Sequence, residues 1–249
     1  MNQREASESL SSVWSQLQSM SEKEQGNPDT AVDRVLAEYE RSPLLRMIVA
    51  AYPPAAVVEA GILATYKWWR ERRLYVFADE LTLLHLNPTE DEVKTRQFAE
   101  AFGATARRVL DTEREEKIRL FAKLFASYVS HGEYSSATFD EFDEELSIVE
   151  EISYREFRLL LILHKYEVQR PLMANENQVM RTAESWPAFR VEAASELDIS
   201  EDVLDAMLQR LVRTGLYQII TGTYFDYHGN RGYLTPLFDG LLGKLHLTE

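Results

Sequence analysis

The segment "LDISEDVLDAMLQRLVRTGLYQII", residues 197–220, constrains its own fold more tightly than any other part of the chain. Ser200 stands where a side-chain oxygen can accept a bond from a free N–H of a first helical turn, and Glu201 and Asp202 after it suit the positive end of a helix dipole. Leu204, Leu208 and Leu211 recur at i, i+4 and i+7, laying one apolar stripe along a helix from Glu201 to about Thr214. Gly215 tolerates the left-handed conformation that stops such a helix. The β-branched and aromatic "LYQII" follows at once, so a helix gives way to a strand across a single glycine.

The same start signals recur upstream. Thr89 with Glu92, Thr112 with Glu115 and Ser153 with Glu156 have the spacing of a capping box, in which side chain and backbone donor satisfy each other reciprocally. A helix is predicted after each. Ile118, Phe121, Leu124, Phe125 and Tyr128 then share one face, as do Phe157, Leu160 and Leu163 with Leu161 beside them, and both faces are predicted core. Pro54 sits where a first helical turn tolerates a missing N–H, ahead of one long helix or two in succession through "ATYKWWRERRLYVFADELTLLHL". The apolar stretch 44–69 is interrupted by Arg46, Pro53-Pro54, Glu59 and Lys67, so buried helices are expected there rather than a membrane hairpin. Near the N-terminus Leu10, Val13, Trp14 and Leu17 form a short stripe, followed by the turn signal "GNPD". Residues 131–153 contain no Lys or Arg and are strongly acidic towards their end. The expected organisation is an arm with a short amphipathic helix over 1–30, a helical domain over 31–135, an acidic linker over 136–152 and a second domain over 153–249.

In that second domain a buried helix starting at "SYREFRLLLIL" is followed by a predicted loop, "RPLMANENQVMRTAESWP", of about 18 residues. Then come a helix at "VEAASEL", the turn "DIS", the helix from Glu201, and strands at "LYQII" and "GYLT" joined through "TGTYFDYHGNR". "TPLFDGLLGKL" closes the chain with Pro236 in its first turn. This order resembles a winged helix-turn-helix of the MarR-type layout over about 95 residues, apart from the long loop. The resemblance implies a mainly α chain: an N-terminal helical domain, then a winged-helix-like α+β domain with a small two-stranded wing. It also implies that the helix from Glu201 and the wing form the docking surface. The middle of the chain resembles bacterial helical proteins of unassigned function in its general plan.

Charge decides between the uses of such a surface. Asp and Glu number 41 against 27 Lys and Arg, a net charge of −14, so the summed field repels phosphate backbones. Residues 190–249 hold Arg190, Arg210, Arg213, Arg231 and Lys244 against nine acids, and the half-helix that would enter a major groove carries Glu201, Asp202 and Asp205. The phosphate contacts that supply most nucleic-acid affinity are missing from this pattern. The expected function is therefore a regulatory or adaptor role through protein–protein contacts, with self-association as one form of it. The expected contact residues are Glu201, Asp202, Asp205 and Gln209 on the helix, Tyr224, Tyr227, His228 and Arg231 in the wing, and Trp14 in the arm. A DNA-binding transcription regulator and a membrane-active effector using 44–69 are the alternatives.

Signals for chemistry are few. The chain has no cysteine, which excludes disulfides and thiolate ligands and fits a reducing compartment, so the cytoplasm is expected. The first residues lack a basic region followed by an apolar run, and no secretory signal is expected. Histidines 85, 131, 164, 228 and 246 are scattered without a metal-ligand spacing. "FDEFDEE" gathers Asp140, Asp143 and Glu144 but lacks the glycine and alternating ligands of a calcium loop. Neither a glycine-rich phosphate loop nor a G-x-S-x-G elbow is present. No catalytic, cofactor or metal site is expected. One basic-aromatic cluster, "YKWWRERR", places Lys67, Trp69, Arg70 and Arg73 close together; such a set can stack on bases or bind an acidic partner, and it can equally pair with the protein's own acids.

Overall fold

The computed structural model describes residues 42–51, 62–132, 135–173, 176–221 and 230–245. These residues form ten helices and one two-stranded antiparallel sheet, and the chain divides into two compact units, Met1–Leu146 and Ser147–Glu249. The mainly helical class expected from the sequence is the one observed.

The first unit contains α1 (Pro43–Ala51), α2 (Ile62–Leu83), α3 (Glu90–Val93), α4 (Arg96–Asp111) and α5 (Glu115–His131). Its core forms where α2, α4 and α5 pack together. Phe125 of α5 meets Phe77, Phe98 and Phe102 with ring centroids 5.5 to 6.1 Å apart and tilted planes, the arrangement in which aromatic quadrupoles attract. The five-residue face expected on α5 lies in this core, with Tyr128 partly covered and stacked on Phe142 at 4.5 Å. Leu44, Leu45 and Ile48 of α1 are buried as well, while residues 52–61 of the apolar stretch lie outside the described residues. No helix among the described residues is long and apolar enough to cross a membrane.

Two of the three expected capping boxes form. Thr89 and Glu92 cap α3, and Ser153 and Glu156 cap α7, each with both reciprocal bonds. The third does not: the Thr112 hydroxyl donates back to the Arg108 carbonyl at 2.7 Å, which spends it on the end of α4. Glu115 instead accepts from Arg72 of α2 at 3.2 Å, and α5 begins after Arg114 without a side-chain cap.

The stretch expected to be an acidic linker is a helix, α6 (Ser136–Glu151), and the division between the units falls inside it. Ser135 and Thr138 start it by exchanging N–H to hydroxyl bonds of 2.9 and 3.1 Å. Phe142, Leu146 and Val149 then bury one side at i, i+4 and i+7. Helical spacing of these apolar residues outweighs the acidic composition, because the acids lie largely off that face, with Glu145 alone among them buried.

The second unit continues with α7 (Tyr154–Gln169), α8 (Gln178–Leu197), α9 (Glu201–Arg213), β1 (Tyr217–Ile219), β2 (Gly232–Leu234) and α10 (Pro236–Lys244). Here the expected 18-residue loop shrinks to the segment between Gln169 and Gln178, and the short helix expected at "VEAASEL" is only the last part of α8. Asn177 caps α8 by accepting from the Met180 N–H at 3.0 Å. Arg170 holds the turn closed, bonding Glu176 at 2.6 and 2.8 Å and Glu184 at 2.8 Å. Pro187 lies inside α8, where a proline costs about 3 kcal/mol. Trp186 and Phe189 on either side are fully buried, at about 1.5–3 kcal/mol each for such side chains, which offsets that cost.

Candidate partner-binding surface

Helix α9 starts and stops where its sequence says it should. The Ser200 hydroxyl accepts from the Val203 N–H at 3.4 Å, and Gly215 takes φ +74° after the last turn. Leu204, Met207, Leu208 and Leu211 face the core of the second unit, leaving Asp202, Ala206 and Gln209 exposed at i, i+4 and i+7. The strands pair with Tyr217 opposite Leu234 and Ile219 opposite Gly232. The Tyr217 ring passes over Gly232, and its hydroxyl donates to the Asn230 carbonyl.

The acids expected to meet a partner are partly spent inside the unit. Arg190 of α8, with 15% of its side chain exposed, donates one guanidinium nitrogen to Asp205 and another to Glu201 at 2.9 Å. Asp205 in the first place, with Glu201 adding to it against the cost of burial, holds that guanidinium charged above the ordinary arginine range. Asp202 is exposed. The Gln209 amide donates to the Asn230 side chain, tying α9 to the residue that precedes β2 by two positions. Arg231, expected among the contact residues of the wing, is buried at 7% exposure, and its carbonyl accepts from the Ile220 N–H at 2.8 Å. Tyr224, Tyr227, His228 and Trp14 lie outside the described residues. The structure thus brings Glu201, Asp202, Asp205 and Gln209 together on one helix and adds Arg190 and Asn230 to them.

Both cations of α9 pair with carboxylates while keeping more than half of their side chains exposed. Arg213 meets Glu151 at 2.8 Å, and Arg210 meets Glu156 at 2.6 Å. Glu156 also accepts the Ser153 N–H and hydroxyl, each at 2.8 Å. Burial works to raise this carboxyl, but the bonds from Arg210 and Ser153 prevail and hold it below the usual glutamate range.

A second node was not legible in the sequence. Glu167 of α7 accepts from Arg181 of α8 at 3.0 Å and from the Leu234 N–H of β2 at 3.0 Å. Burial is the main influence on it and pushes its carboxyl up, against the pull of those two donors. Glu167 and Arg181 lie on different helices, and no local spacing announces such a pair.

In the first unit the basic-aromatic cluster lies along α2. The Arg73 guanidinium donates to the Leu110 carbonyl at the end of α4, and Arg72 pairs with Glu115. The side chains of Lys67, Trp69 and Arg70 lie outside the described residues. Asp143 of the acidic trio pairs with Arg108 at 3.1 Å, and Asp140 and Glu144 are exposed. Among the described residues no group of three or more His, Asp or Glu side chains is placed to hold a metal ion. Comparison of the chain with protein-family models, with curated proteins and with solved structures finds no match.

Proposed function

We propose that this chain is a non-enzymatic regulatory or adaptor protein whose second unit, winged-helix-like in the order α7-α8-α9-β1-β2-α10, docks a protein partner through α9 and the wing. The observation that supports this reading is the internal bonding of the charges on α9. Arg190 offsets one of the two charges of Glu201 and Asp205, and Arg210 and Arg213 each pair with a carboxylate, Glu156 and Glu151, so that α9 with the side chains bonded to it carries more acids than bases. A DNA reader presents basic groups to phosphates from the ends of this helix. Here the exposed line Asp202, Ala206 and Gln209 offers one carboxylate, one methyl and one amide, a surface better matched to backbone amides and small polar side chains of another protein.

The test is capture of a specific protein from host lysate by the wild-type chain, set beside the double variant Asp202→Arg, Gln209→Arg. Loss of that protein with an unchanged circular dichroism spectrum is the expected result. A low-salt electrophoretic shift with genomic fragments that saturates in a sequence-dependent manner refutes the reading in favour of a transcription regulator.

A further inference from the structure

Five of the nine large hydrophobic side chains exposed among the described residues fall between 168 and 191, on the α7–α8 hairpin: Val168, Leu172, Met173, Met180 and Val191. Val191, in the second half of α8, is 71% exposed. It borders an open groove of about 810 Å³, lined by Tyr166 of α7 and by Pro187, Ala188, Val191 and Ser195 of α8, with Glu192 and Glu196 on its rim.

The charges around this groove are sorted by helix. Arg158 and Lys165 of α7, with Arg170 just beyond it, form a row of cations; Glu196, Glu192 and Glu184 of α8 form a row of anions. They pair across the hairpin at 2.6, 2.8 and 2.8 Å respectively. The two members of each pair stand at the same height along the antiparallel helices. Each keeps between 31% and 68% of its side chain exposed, so it retains capacity for a further contact.

From this we infer that the α7–α8 face is a self-complementary docking surface whose partner is a second copy of this chain, related by a two-fold axis running along the groove. Rotation about such an axis places α7 of one copy over α8 of the other without changing heights. Arg158, Lys165 and Arg170 then face Glu196, Glu192 and Glu184 of the second molecule, and Val191 of each copy closes on the other's groove. A two-fold axis across the helices sets cation row against cation row and anion row against anion row, so the charges select one arrangement and reject the other. This surface is separate from the α9 face, and it stands whether or not α9 docks a partner.

The experiment is sedimentation equilibrium of the full chain, alone and in mixtures. The wild-type chain is expected to dimerise at concentrations around 100 μM, and Val191→Glu to weaken dimerisation by about tenfold or more. Lys165→Glu and Glu192→Lys each place like charges opposite one another twice per dimer, so each is expected to remain monomeric. An equimolar mixture of these two variants restores both attractions and is expected to dimerise again, which no loss of folding in either variant can imitate. A wild-type chain that stays monomeric overturns the inference, and so does a dimer that persists in both charge variants or a mixture that fails to recover it.

Discussion

Gly232 is the position at which a single methyl group does the most damage. A Cβ built there runs into the Gln218 carbonyl and into Cζ and the hydroxyl of Tyr217, all closer than real Cβ atoms approach. The Tyr217 ring could swing aside only by giving up its bond to the Asn230 carbonyl, and the Gln218 carbonyl is backbone and cannot. Overpacking of this kind costs about 1–3 kcal/mol, and the lost hydrogen bond adds about 1 kcal/mol. Gly232→Ala is therefore expected to destabilise the second unit by about 2–4 kcal/mol. For a unit of roughly a hundred residues that lowers the Tm by about 10–25 °C, read by scanning calorimetry of the full chain. Gly240→Ala is the control. It lies in α10 with nothing within 4 Å of the added carbon, so it gains about 0.5–1 kcal/mol from reduced backbone freedom. Tyr217→Ala makes part of the room, and the cost of Gly232→Ala should shrink in that background. A Gly232→Ala protein that melts within about 2 °C of wild type refutes this packing of Tyr217 over the wing.

Three further outcomes are expected. Glu156→Gln should lose about 1–3 kcal/mol at neutral pH in urea unfolding, since charge-assisted bonds to Arg210 and the α7 cap are weakened. The folded carboxyl lies below its unfolded value, so its stabilisation is present above the ordinary glutamate range and lost as pH falls through the folded value; wild type and variant should converge in acid, and a constant difference contradicts this. Glu167 has the opposite sign: its folded carboxyl is raised, the native state takes up that proton first, and this group adds stability as pH falls through the raised value. Glu167→Gln should remove that slope, which begins above the ordinary glutamate range, as seen in denaturant midpoints taken at each pH. Ser200→Ala should cost about 0.5–1 kcal/mol, towards the low end for a cap because the bond to Val203 is long at 3.4 Å, and hydrogen exchange should rise first at the N–H groups of the first turn of α9.

What the sequence revealed and what it concealed divide along a physical line. Signals that act within four residues were legible. Ser200 and Gly215 bound α9, Thr89 and Ser153 cap their helices, Pro236 opens α10, and the strands form at "YQI" and "GYL". Expectation and structure part where a local signal has a stronger competitor. The Thr112 hydroxyl is claimed by the preceding helix, Pro187 is outweighed by buried aromatics, and the acids of α6, Glu145 apart, lie off a buried stripe. For the candidate surface, Glu201, Asp202, Asp205 and Gln209 could be placed on one helix from spacing alone. That Arg190 would bond two of them, or that Arg231 would be buried, depends on which elements pack side by side, and no periodicity carries that information.

The carboxylate of Glu156 both begins α7 and holds Arg210 of α9, so two events that a chain could make separately are joined in one side chain. Fraying of the first turn of α7 releases the arginine, and loss of the arginine leaves a nearly buried charge that loosens that turn. A substitution at Ser153, whose own bonds to Glu156 serve the start of α7, thereby reaches α9 through the shared carboxylate. The start of one helix and the anchoring of another are thus expected to come apart together, as a single cooperative step rather than two local ones.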